Sequence, residues 1–287
     1  MREPDQDDGR ESELNQEGTV MGKYWHVLNI GLQNTLVYRL NFLFRSLFGL
    51  IPLTATIFVW RTIYEGKAGG QVGSYELTRM ISYYLVITIV DALSAVTEDD
   101  WQIAADIKDG NISQFLLKPM DYLTYRLCLF VAGRLVYAVV ALLPTAGFIW
   151  LMRDNFLLPP DAATAGWFLV SVALSALLQF LFSFTLALLA FWVLEVATFI
   201  FIAFAFEYLA SGHLFPLDIL PPALAGALDY TPFPYLLFFP VSIWLGGVSG
   251  DALRIGVLVQ VLWVVAAYAL ARLVWSRGVR QYSAVGG

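Results

Sequence analysis

Residues 162–194 read AATAGWFLVSVALSALLQFLFSFTLALLAFWVL, without a single Asp, Glu, Lys or Arg. A helix rises 1.5 Å per residue and the hydrocarbon core of a bilayer is ~30 Å thick, so one crossing takes ~20 apolar residues. The run is too long for one crossing, and its apolar character continues past Glu195 to about Leu214. Two helices joined by a tight turn at Glu195 account for both the length and the lone acid. Outward from this stretch, further charge-free runs cover 46–60, 135–152 and 255–271, and 80–90 is interrupted only at Asp91. Over its 287 residues the chain is 59% hydrophobic and 14% charged, whereas soluble domains carry about 25% charged residues. A large soluble helical core would still show polar faces at a 3.6-residue period, and these runs have none. The reading is an all-α polytopic membrane protein with about six transmembrane helices, near 42–62, 80–97, 127–151, 166–193, 196–212 and 252–274.

The flanks are different in kind. Residues 1–20 hold seven acids and two arginines and almost no apolar side chain; this is expected to be a disordered acidic tail, leaving 21–287 as the transmembrane domain. It has neither the basic start nor the apolar centre of a cleaved signal peptide. Residues 22–41, with Trp25, Leu28, Leu32, Leu36 and Leu40 spaced along them, suit an amphipathic helix at the membrane interface. Between the last two spans, 212–250 is apolar but punctuated by Pro216, Pro221, Pro222, Pro232, Pro234 and Pro240. Such a segment cannot form one straight helix; short re-entrant or interfacial helices are expected. Twelve of the seventeen Lys and Arg residues fall in the N-terminal segment, in the second loop with its flanks or at the C-terminus. The positive-inside rule then places both termini in the cytoplasm of a multi-pass protein of the inner (plasma) membrane. No long internal repeat is evident, which weighs against the inverted-repeat plan of secondary transporters.

One cysteine, Cys128, excludes an internal disulfide framework, and two distant histidines, His26 and His213, argue against a zinc or haem site. No metal, no cofactor and no nucleic-acid partner are expected for this chain. The second loop is the most informative. From Glu98 it reads EDDWQIAADIKDGNISQFLLKPM. Asp99 or Asp100 can cap a short helix, Gly110 can end it in a left-handed conformation, Ser113 can cap a second turn, and Pro119 can stop that turn. The first helix sets Trp101, Ile103, Ala104 and Ile107 among acids. An acidic helix is a poor ligand for an anionic leaflet, so a protein partner is the better reading than the lipid surface.

The stretch IAADIKDGNISQFLLKPMDY (103–122) resembles the intracellular loop of ABC type-2 permeases, the membrane subunits of ATP-driven exporters. SGHLFPLDILPPAL (211–224), YTPFPYLLFFPVSIWLGG (230–247) and the terminal WSRGVRQYSAVGG (275–287) support the likeness, which spans roughly 21–287. The resemblance implies that the loop helix is a coupling helix seated on an ATPase subunit, with coupling carried by Trp101, Asp106, Lys108, Asp109, Gly110 and Lys118. It implies that the proline-rich segment from Pro216 to Pro240 is an outer gate, and that a second permease chain completes the pathway. Gly22-Lys23 and Gly66-Lys67 are followed by Tyr24 and Ala68, so there is no P-loop. The chain is therefore not expected to be an enzyme; ATP and Mg belong to the ATPase partner.

Inside the apolar runs, Glu207 is the least expected residue, because a carboxylate at mid-bilayer costs at least ~2.5 kcal/mol on insertion scales. It reads either as a pathway residue or as a hydrogen-bond partner of Ser211 or Gln179. Asp91 raises the same question, and His213 is either a pH-sensing group or a hydrogen-bonded interface histidine. Phe199, Phe201, Phe204 and Phe206 read as packing or lipid contact. The substrate could be a lipid, a hydrophobic small molecule or a glycan. A membrane-embedded lipid-modifying enzyme and an ion-coupled transporter remain the competing readings.

Overall fold

The computed structural model describes residues 7–66, 70–96, 99–193 and 195–282, with side-chain surroundings from residue 22 onward except at 99 and 100. Helix α1 (Asp7–Val37) lies against α6 and is separated from α2 (Arg39–Glu65) by a break at Tyr38. The interfacial helix expected over 22–41 is thus split. Its backbone also begins at Asp7, within the segment whose composition predicts disorder, and is helical across residue 20. A small hairpin, β1 (Gln71–Val72) with β2 (Tyr75–Glu76), turns the chain into α3 (Leu77–Ser94). Next come α4 (Asp99–Lys108), α5 (Asn111–Leu116) and α6 (Tyr122–Leu151). After a 3-10 turn at Arg153–Asn155 comes α7 (Ala162–Ala187), which tightens into a second 3-10 turn, Leu188–Phe191. Helix α8 (Ala197–Ala210) leads to a 3-10 turn at Leu217–Ile219, α9 (Pro222–Leu228), another at Phe233–Tyr235, α10 (Phe238–Trp244), and finally α11 (Gly250–Gln281).

Two of the long helices start on a side-chain acceptor for their first turn. Asp121 accepts from the Thr124 N–H at 3.0 Å and Asp161 from the Thr164 N–H at 2.6 Å, opening α6 and α7. Glu195, exposed at the turn between α7 and α8, accepts from the Ala197 N–H at 3.2 Å. Residue 194 lies outside the described residues, as do 97–98 at the end of the second predicted span.

Among the described residues, five helices are long and apolar enough to cross a membrane. Of the apolar window of α3, 61% is buried, against 17% in α2 and in α11, so α3 is the central post and the other two face outward. It packs on α2, α6, α7 and α10. The sixth predicted span, 196–212, does not match. Helix α8 has 14 residues, about 21 Å of rise, short of the ~30 Å core.

Beyond α8 the backbone is irregular and is held by side chains. The Tyr83 hydroxyl donates to the Gly212 carbonyl and the Tyr84 hydroxyl to that of Leu214, each at 2.6 Å. Gly212, at φ +98°, takes a backbone conformation open to glycine. The chain then reaches the hairpin, where Ile219 sits against Gly73 and Ser74 donates to Asp218 Oδ2 at 3.5 Å. It dips back so that Phe233 meets Phe182 and Phe206. Gln260 of α11 donates to the carbonyls of Ser171 and Tyr235 at 2.9 and 3.0 Å, and Ser175 donates to that of Leu236. Non-helical backbone survives at this depth only when protein satisfies it, and α3, α7 and α11 supply the donors. Tyr24 of α1 and Tyr282 just after α11 both lie at the α4–α5 end. There Tyr24 accepts from the Asp121 N–H at 3.1 Å and Tyr282 shares a 3.0 Å hydrogen bond with Ser113.

Candidate functional site

Two places concentrate polar side chains: the α4–α5 end and a cluster inside the apolar body. At the first, Gly110 ends α4 with φ +79°, the left-handed conformation expected from the Asp-Gly pair. Ile103, Ala104 and Ile107 of α4 are buried, as are Ile112 and Phe115 of α5, and α4 rests on α7 and the 3-10 turn Leu188–Phe191. The opposite side is exposed: Trp101, Lys108, Asp109 and Lys118 face outward, with Lys118 Nζ 5.5 Å from the centre of the Phe115 ring. The cap expected of Asp99 or Asp100 lies outside the described side chains.

Two expectations change here. Asp106 does not belong to the outer side. It accepts from the Tyr122 hydroxyl at 2.8 Å and lies 3.7 Å from Arg126 Nη1, whose side chain is 5% exposed. Four residues after Gln102, it sits on the face turned toward α6, and Arg126 Nη2 also donates to Gln102 Oε1 at 3.3 Å. Ser113 does not cap α5 either. The helix starts at Asn111 with Gly110 as its N-cap residue, which leaves the Ser113 hydroxyl for Tyr282.

Sequence reasoning passed over the ties that hold this end. The Tyr122 ring stacks on Trp275 at 4.9 Å and 10°, and Asp121 pairs with Arg272, so the base of α6 is bound to α11. Burial pushes the Asp121 carboxyl up, but hydrogen bonds from Arg272 and Thr124 outweigh it and hold the group below the ordinary carboxylate range. Gly278 lets Phe191 pack directly on α11, where a Cβ would overlap the ring.

The second cluster joins three residues that the sequence marked singly. His213 Nε2 lies 3.0 Å from Asp91 Oδ1, and its Nδ1 lies 2.8 Å from Ser211 Oγ. In the neutral ring that fits both, Nε2–H donates to Asp91 and Nδ1 accepts from the Ser211 hydroxyl. One turn before, Glu207 is 6% exposed and accepts from Gln179 Nε2 at 3.1 Å. Of the two partners expected for Glu207, Gln179 is therefore the one it meets. Tyr208 stacks on His213 at 4.7 Å. The order Ser–His–Asp is that of a nucleophile, base and orienting acid, but Ser211 is fully buried and does not line the cavities beside it.

Two cavities meet at this cluster. One, about 180 Å³, is lined by Asp91, Gln179, Glu207, Tyr208 and His213 with apolar neighbours. The other, about 320 Å³, reaches Arg45, Arg134 and Tyr137. Asp91, Ala95, Val96, Tyr208 and His213 line both. Arg134 is 6% exposed; its Nη1 donates to the Asp91 carbonyl at 3.5 Å and its guanidinium lies 4.6 Å from the centre of the Tyr137 ring. The signal was present in the sequence, because Arg134 falls inside a predicted span just as Glu207 does. A third, apolar cavity of about 330 Å³ lies between α7, the Phe233–Tyr235 turn and α11.

Of the predicted gate prolines, Pro216, Pro234 and Pro240 are buried, Pro232 is half-buried, and Pro221 and Pro222 are exposed at the start of α9. Phe199, Phe201 and Phe206 are exposed on α8, and Phe204 packs edge-on to Phe182. Among the described residues no three His, Cys, Asp or Glu side chains converge on a metal position. The family described as ABC-2 family transporter protein matches residues 50–286 of the chain. No curated protein matches it.

Proposed function

The chain belongs to the ABC-2 transporter family, and we propose that it is the permease subunit of an exporter whose ATPase is a separate chain bound at the α4–α5 end. In this reading that end faces the cytoplasm of a cell inner membrane, and a second permease chain, identical or related, encloses the pathway with this one. The substrate is an amphiphile, lipid-like or drug-like, moved outward. The 212–250 segment with its prolines serves as the outer gate.

One observation carries the proposal. The α4–α5 segment presents Trp101, Lys108, Asp109 and Lys118 outward while Ile103, Ile107, Ile112 and Phe115 are sunk into the body of the protein. A push on its outer side must therefore reach α6, α7 and α11. Interfacial segments anchored this way transmit motion because packed contacts do not deform continuously. Copurification from native membranes tests it: an ATPase subunit should accompany the full chain, and ATP should drive amphiphile movement in reconstituted vesicles. Transport that proceeds without ATP and collapses with an ionophore would instead make the protein ion-coupled.

A further inference from the structure

We propose that the two adjoining cavities bind the zwitterionic headgroup of a membrane amphiphile, with its anionic group toward Arg45 and Arg134 and its ammonium toward Asp91 and Glu207. The assignment rests on the transport reading and names the substrate class for that pathway. The larger cavity contains both arginines and the smaller one contains Glu207, with Asp91 and His213 in the shared wall. A ligand of single sign would meet attraction in one compartment and repulsion in the other. A phosphate and an amine separated by two carbons meet attraction in both.

The larger cavity, about 320 Å³, is at the small end of ligand sites, enough for a headgroup and too small for a glycan chain. Beside it, Phe44, Leu47 and Phe48 of α2 and Phe206 and Leu209 of α8 are exposed, a surface on which acyl chains can lie while the head is inside. This favours an amphiphile taken from the membrane over a soluble zwitterion of the same chemistry.

The test uses the full chain in a nonionic detergent and three acyl-labelled probes: phosphatidylethanolamine, phosphatidylglycerol and a dialkyl trimethylammonium lipid. Binding is read by fluorescence anisotropy. Wild type should prefer phosphatidylethanolamine over each single-sign lipid by about tenfold, the weight of one hydrogen bond to a charged group. Arg45→Gln, at an exposed position, should lower that affinity about tenfold and bring the cationic lipid level with it. Glu207→Gln should do the converse and favour phosphatidylglycerol. Equal binding of all three lipids, or an unchanged preference in Arg45→Gln, overturns the site. Equal competition by soluble glycerophosphoethanolamine overturns the membrane source. The measurement needs no ATPase, so retained lipid selectivity without any ATPase partner would fail the transport reading and leave this site standing.

Discussion

Replacing Gly110 separates conformation from space at the α4–α5 turn. The glycine stands at φ +79°, and a Cβ there would meet only the Tyr282 hydroxyl at 3.6 Å, an ordinary contact. Alanine therefore fits the volume but not the backbone, and the left-handed conformation costs an L-residue ~1–2 kcal/mol. That is roughly a five- to thirtyfold shift in the population of the turn. Asparagine enters this region more readily and should lose less, while β-branched valine should lose most. The Ser113 N–H donates to the Gly110 carbonyl at 3.1 Å, so hydrogen exchange at Ser113 reports the turn directly. Protection there should fall in the order glycine, asparagine, alanine, valine. ATP turnover with the ATPase subunit should fall in the same order, while the helices stay inserted. Wild-type protection and turnover in Gly110→Ala would refute the claim that this conformation is required. Equal losses for asparagine and alanine would show that space, not backbone preference, sets the effect.

Charge changes on the two faces of α4 should part company. Asp109→Lys, on the outer side, should leave thermal stability within about 0.5 kcal/mol and weaken pull-down of the ATPase subunit. Asp106→Asn, which loses the charge facing Tyr122 and Arg126, should instead lower the unfolding midpoint; the reverse assignment of the two effects would refute the inward placement. In a Cys128→Ser background, cysteine introduced at Ala163 should react with an impermeant reagent on intact cells and cysteine at Asn111 only after the membrane is opened. Labelling at position 111 in intact cells would invert the topology. Because Asp121 is held below the ordinary carboxylate range in the folded state, its contribution is complete above the unfolded value near pH ~4 and is lost as pH falls through the lower folded one. The melting temperature of wild type should drop more steeply across that acidic window than that of Asp121→Asn, and identical slopes would remove the pair from the stability of the protein.

The bilayer imposes its own length and polarity on a chain, and for that reason the apolar runs announce six spans without any tertiary information, of which five match long apolar helices and the sixth, 196–212, does not. Local backbone rules are equally legible. Gly110 needed no more than an Asp-Gly pair between two short helices, and the prolines of 212–250 ruled out a straight helix there. Where α8 stops was beyond such rules, because its end depends on Tyr83, Tyr84 and Gln260 satisfying the carbonyls of an irregular segment from other helices. The same holds for the polar cluster. Glu207, Asp91 and His213 each stood out as costly residues in apolar surroundings. Their meeting joins positions up to 122 residues apart, and no local pattern encodes such a pairing. On α4 the apolar Ile103, Ala104 and Ile107 mark the inward side in the sequence, but Asp106 and Asp109 are equal as letters, and the hydroxyl of Tyr122 distinguishes them only once α6 is packed. Hydrophobicity and chain geometry act along the sequence and are read from it, while hydrogen bonds between distant helices exist only after the helices have found one another.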